Sequence, residues 1–167
     1  VFFYSPKTRI IMKKLLLGIA AVCLAGFTFA QDAPLWMRHS VISPDGTTIA
    51  FTYKGDIYTV PVAGGRAMQI TTNPAYDTAP VWSPDSKRIA FASDRMGSLD
   101  VYIVAKDGGE PRRLTTHSGS ETPLAFTDAG HVLFSAGIMP SAEAVVFPSN
   151  GQFNQVYRVS VEGGRRR

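Results

Sequence analysis

His117, followed at once by Ser118 and later by Ser120, is where this sequence comes nearest to nucleophilic chemistry, because a serine hydroxyl needs a base to take its proton. The spacing argues against it. Triad members converge from distant segments, whereas neighbours in sequence rarely face one another. The strained Gly-x-Ser-x-Gly turn is also missing, since Ser118-Gly119-Ser120 is flanked by His117 and Glu121. Asp85, Asp94 and Asp100, with Arg95, have the residue types of an acid–base site. His39 and His131 stand alone, and no two histidines have metal-ligand spacing. The Gly-Gly pairs at 64–65, 108–109 and 163–164 are not a phosphate loop, because they recur as turns do. The residues therefore assign no catalytic, cofactor-binding or metal site, and no cofactor is expected.

The elements that would position these side chains are written as a repeat. Ser43-Pro44-Asp45-Gly46 returns as Ser83-Pro84-Asp85-Ser86, and Ile49-Ala50-Phe51 returns as Ile89-Ala90-Phe91. Asp56-Ile57-Tyr58 is matched by Asp100-Val101-Tyr102, and Ile70-Thr71-Thr72 by Leu114-Thr115-Thr116. A weaker third copy runs through Thr127-Asp128-Ala129-Gly130, Val132-Leu133-Phe134 and Val156-Tyr157. A period of about 40–45 residues made of short alternating strands is the sequence form of a propeller blade. The fold expected is all-β, a partial β-propeller of about three four-stranded antiparallel blades, at roughly 39–72, 79–116 and 122–167, the last one truncated. Closed propellers have about 4–8 blades, so residues 31–167 are expected to be one part of a larger ring.

Within this pattern Asp45 and Asp85 cap turns, because a carboxylate two residues into a Pro-containing turn bonds back to the backbone. Asp56 is assigned to the same class of strand-end hydrogen bonding. The aromatic set Phe51, Tyr58, Trp82, Phe91, Tyr102, Phe126, Phe134 and Tyr157 recurs at matching strand positions and is expected to form the packing between blades. Trp36 is expected to pack on the first blade, and His117 to lie in a solvated connection between blades. The run Arg112–Arg113 through Leu114-Thr115-Thr116 reads as a fourth, outer strand. Between Phe134 and Val156 the third copy carries an insert, residues 137–155, suited either to ligand binding or to covering an edge.

Met12-Lys13-Lys14, the apolar run 15–27 and the small residues ending at Ala30 have the form of a secretory signal, with cleavage expected between Ala30 and Gln31. Residues 12–30 are thus read as the signal, and 1–11 as an upstream extension. The apolar run is shorter than the roughly 20 residues a membrane span needs, so no stable span is expected after cleavage. Localisation is expected to be exported, periplasmic. The net charge of +4 has the same origin: Lys7, Arg9, Lys13 and Lys14 lie in the first thirty residues, which hold no acid. The remainder balances thirteen basic against thirteen acidic side chains, which argues against nucleic acid as a partner. Arg165-Arg166-Arg167 is read as a solvated tail. With Cys23 inside the signal, the mature chain would have no cysteine and no disulfide.

The string Val81-Trp82-Ser83-Pro84-Asp85-Ser86-Lys87-Arg88-Ile89-Ala90-Phe91, ending in Asp100-Val101-Tyr102, resembles the WD40-like propeller repeat shared by TolB-type translocation proteins, Tricorn-type serine peptidases and dipeptidyl-peptidase-type enzymes. Chain order favours one of them. TolB-type proteins place an α/β domain between signal and propeller, and here the first blade follows Ala30 after about ten residues. Pro34-Leu35-Trp36-Met37-Arg38 and the insert beginning Ile138-Met139-Pro140 are similar to exported Tricorn-type peptidases. The resemblance implies a propeller that guides or filters peptide substrates for a protease core carried downstream in the same protein, with no catalytic residue of its own. A non-catalytic TolB-like propeller, scaffolding protein–protein contacts in the envelope, is the alternative.

Overall fold

The computed structural model describes residues 36–137 and 154–163. The expected signal with its Ala30/Gln31 cleavage, the 1–11 extension, most of the 137–155 insert and the Arg165–Arg167 tail lie outside the described residues. What is described is all-β, built as three antiparallel sheets.

The first sheet is β1 (Met37–Ile42), β2 (Thr48–Tyr53), β3 (Asp56–Pro61) and β4 (Met68–Gln69), paired in chain order. The second repeats it as β5 (Asp77–Trp82), β6 (Arg88–Ser93), β7 (Asp100–Ala105) and β8 (Arg112–Arg113). The third has β9 (Glu121–Asp128), β10 (His131–Ala136) and β11 (Gln155–Ser160), three strands among the described residues.

The repeat reaches down to single dihedrals. Gly46 and Ser86 both sit at positive φ, +72° and +57°, because each closes the same tight turn. His39 and Ala79, forty residues apart, take φ of +51° and +52° where the β1–β2 and β5–β6 registers each slip, so a bulge is inherited with the blade. Phe51–Tyr58, Phe91–Tyr102 and Phe134–Tyr157 are the same cross-strand stack in three copies, with centroids 5.9, 6.0 and 5.7 Å apart.

Two apolar cores lie between consecutive sheets. Ala50, Ile57 and Ile70 of the first blade meet Trp82, Ile89, Phe91 and Tyr102 of the second. Ala90, Val101 and Ile103 on the second sheet meet Val132, Phe134 and Val159 of the third. Polar bonds fix the blades' relative positions: Trp82 Nε1 donates to Val41 O at 3.2 Å, and Asp45 N donates to Ser86 Oγ at 3.1 Å. Arg112 reaches the third sheet through the Val161 carbonyl and Glu162.

Candidate functional site

Successive antiparallel turns fall at opposite ends of the sheets. At one end are the Ser-Pro-Asp and Gly-Gly turns. Asp85 is there, where its Oδ1 accepts from Ser83 Oγ at 2.6 Å and Lys87 N at 3.2 Å; Asp45 does the same with Ser43 and Thr47. These bonds, led by the serine hydroxyl, hold both carboxyls below their ordinary pKa. They are turn caps, and Asp85 is thereby removed from the supposed acidic cluster.

At the other end lie the β2–β3 and β6–β7 hairpins and the connections from one blade to the next. Here Arg95 folds back from its loop and donates from Nη2 to both oxygens of Asp77, at 3.1 and 3.0 Å, and from Nε to Ser93 Oγ at 2.8 Å. Asp77 is fully buried. The same guanidinium lies 4.6 Å from the centre of the Tyr102 ring and 5.7 Å from that of Phe91. Arg113 Nη2 stands 2.8 Å from Oδ2 of the fully buried Asp100, an off-axis ion pair without a directed hydrogen bond. Burial, reinforced by the charge of Asp77, pushes the Asp56 carboxyl up, and burial raises the Tyr102 hydroxyl as well. Glu121, also fully buried, starts β9 as Asp77 starts β5; their backbone amides donate to Leu99 O and Gly55 O, both at 2.7 Å.

Two ion pairs stand at this end, Arg95 with Asp77 and Arg113 with Asp100. Both oxygens of Asp77 are held by one guanidinium, so Asp77 is committed to that pair. Asp94 accepts from Tyr76 N at 2.8 Å, a loop hydrogen bond. His117 accepts from Gly119 N at 2.9 Å through Nδ1, a local turn, rather than a bond to Ser118 or Ser120. His39 meets Thr78 Oγ1 at 3.1 Å, and His131 pairs with Asp128 at 3.0 Å. Among the described residues no three His, Asp or Glu side chains converge as a metal site.

Asp77 and Arg113 were not singled out in the sequence. The signal existed: Asp77 and Glu121 each follow a Thr-Thr pair by five residues, so an acid at that place is part of the repeat. Trp36 does not pack on the first blade as expected. It is 68% exposed, with the Arg38 guanidinium 5.7 Å above its ring. The openings among the described residues include a groove of about 760 Å³ bordered by Tyr58, Pro61, Arg66, Met68 and Lys106, a slot of about 290 Å³ between Trp36 and Tyr76, and one of about 250 Å³ bordered by Thr72, Pro74, Arg95 and Glu110.

Residues 34–167 match the family described as the Tricorn protease N-terminal beta propeller domain. The chain is 35% identical over 102 residues to Tricorn protease homolog 1 of Streptomyces coelicolor, covering 60% of this chain and 9% of that protein. It is 30% identical over 129 residues to an uncharacterized peptidase of Bacillus subtilis, covering 76% of this chain and 20% of the relative. The chain thus spans a fifth or less of the length of these two curated relatives. A putative TolB structure from Agrobacterium tumefaciens superposes with a TM-score of 0.63 at 20% identity, over 83% of this chain and 50% of that one, a likeness of fold alone. With the repeat, the stacked aromatics and the family match in agreement, the chain belongs to the Tricorn protease N-terminal β-propeller family.

Proposed function

We propose that this propeller is part of an exported peptidase of Tricorn type and that it guides or filters peptides towards a proteolytic core carried elsewhere in the same protein. The observation that carries the reading is the match of residues 34–167 to the Tricorn N-terminal propeller, supported by two relatives named as a protease homologue and a peptidase. Export is supported by the charged, apolar and small-residue order of 12–30.

The test compares the full-length protein with a form lacking the propeller, on a mixed peptide library read by mass spectrometry. Both should cleave, and only the full-length protein should discriminate by peptide length or end group. Identical product profiles would remove the guiding role. Absence of cleavage by either form, together with stable capture of envelope proteins, would favour the scaffold. N-terminal sequencing of protein from the envelope fraction should begin at Gln31.

A further inference from the structure

The groove of about 760 Å³ lies where the outer half of the first blade meets the turn after β7 of the second. The repeat shows why it is open. Between the second and third blades, two arginines cross the same boundary. Arg88, at the start of β6, donates from Nη2 to Ala129 O. Arg112, at the start of β8, donates from Nη2 to Val161 O, and its Nη1 stands 3.3 Å from Glu162 Oε2. The register assigns their counterparts in the first blade. Thr48 faces Pro61 as Arg88 faces Ala105, and Met68 faces Thr59 as Arg112 faces Ile103. Neither Thr48 nor Met68 carries a cation across, and both border the groove.

The acceptors persist on the far side. Val161 and Glu162 follow β11 as Lys106 and Asp107 follow β7, with Val161 N on Gly130 O and Lys106 N on Lys87 O at 2.8 and 2.9 Å. Lys106 and Asp107 border the groove, so the same pair of positions that receives Arg112 in the next blade is open here. Asp107 is exposed, and no cation stands at ion-pair distance from it among the described residues. Tyr58 adds an aromatic wall; the ring of its counterpart Tyr102 has the Arg95 guanidinium 4.6 Å from its centre. Met68, 47% exposed, adds an adaptable apolar surface. Two cations at the rim, Arg66 and the Lys106 ammonium, oppose a positive ligand, and Arg66 stands where the second blade has Glu110.

We propose that this groove docks an arginine side chain supplied by another protein chain. The guanidinium bridges the Lys106 carbonyl and the Asp107 carboxylate, as Arg112 bridges Val161 O and Glu162, and its stem lies on Met68 and Tyr58. A guanidinium suits the place better than an ammonium, because its planar fork meets a carbonyl and a carboxylate at once. Charges exposed at the rim are screened over roughly 8–10 Å at physiological salt, so the directed bonds decide which ligand is held. The proposal goes beyond peptide guidance and does not depend on it.

Titration calorimetry on the full-length protein would use N-acetyl-arginine N-methylamide, with its citrulline and lysine analogues as controls. The arginine compound should bind about tenfold or more tighter than the neutral citrulline one, with the lysine compound between them. Met68→Arg should abolish binding while holding or raising the melting temperature, because the introduced side chain closes the groove as Arg112 closes the next boundary. Arg112→Met should do the reverse, lowering the melting temperature and adding one equivalent of bound ligand. Asp107→Asn should weaken binding about tenfold, and Arg66→Glu should tighten it. Equal affinity for arginine and citrulline, or affinity unchanged by Met68→Arg, would overturn the proposal. Weaker binding in Arg66→Glu with none lost in Asp107→Asn would mark an anion site and overturn it as well. Absence of binding, with Met68→Arg lowering the melting temperature, would mean that the protein's own chain fills the groove, and no outside partner would remain.

Discussion

Asp77 is fully buried and depends on a single cation, and for such a pair the asymmetry of electrostatics decides what a substitution does. Removing Arg95 leaves a carboxylate in a low-dielectric interior with nothing to repay its desolvation, at a cost of about 3–5 kcal/mol. Arg95→Ala should therefore lower stability by that amount in denaturant titration, and adding Asp77→Asn should recover part of the loss. If the double variant is no better than Arg95→Ala alone, stacking of Arg95 on Tyr102 outweighs the ion pair. The exposed carboxyls behave differently. Asp45, Asp85 and Asp128 are held below their ordinary value of 3.8 chiefly by Ser43, Ser83 and His131. A depressed folded pKa contributes stability above the unfolded value and loses it as pH falls through the folded one. Stability should thus fall on acidification below about pH 4, with Asp85→Asn destabilising at pH 7 and differing less from the parent at pH 3. Asp56, raised by burial, works in the opposite sense. The caps could be read in the sequence because the partners of Asp85 are two residues away. The Arg95–Asp77 and Arg113–Asp100 pairs could not, since each joins residues that meet only once the strands have registered.

Outer strands show how an element departs from its pattern. Residues 112–116 look like a fourth strand, yet β8 stops at Arg113. Beyond it Leu114 N donates to Val101 O at 2.8 Å, and the Thr115 hydroxyl then accepts from Val101 N at 2.9 Å, so a side chain replaces the next rung of the ladder. Leu114 is released to pack between the second and third sheets. The first blade repeats this, with Ile70 N on Ile57 O and Ile57 N on Thr71 Oγ1 at 3.0 Å. The recurring Thr-Thr pair was visible in the sequence, but its reason was not, because alternation alone does not distinguish a strand residue from a threonine that imitates one. Thr115→Val keeps the shape and strands a buried amide. It should cost about 1–3 kcal/mol, with Thr115→Ser losing less, and hydrogen exchange at Val101 should accelerate in the valine variant. Unchanged protection at Val101 would mean that water replaces the hydroxyl.

Equivalent positions have unequal fates across the whole molecule, and the middle blade is the reference. Val101 is fully buried on β7, whereas its counterpart Val156 on β11 is 60% exposed. Trp82 is 8% exposed between the first two sheets, whereas Ile42, forty residues earlier, is 58% exposed. The same sequence grammar therefore buries a residue only where a neighbouring blade covers it, as expected when each unit relies on the next. This dependence is legible in the period of the sequence. Which side chains are left uncovered is not, because that depends on which face each strand turns outward. In isolation, residues 36–163 should expose an apolar face at each end of the stack and associate through them. Light scattering should show concentration-dependent oligomers for this span. Ile42→Lys together with Val156→Lys should shift it towards monomer without lowering its melting temperature, since neither side chain contributes to the two cores. A span that stays monomeric with both apolar residues intact would mean that three blades satisfy one another without a larger ring.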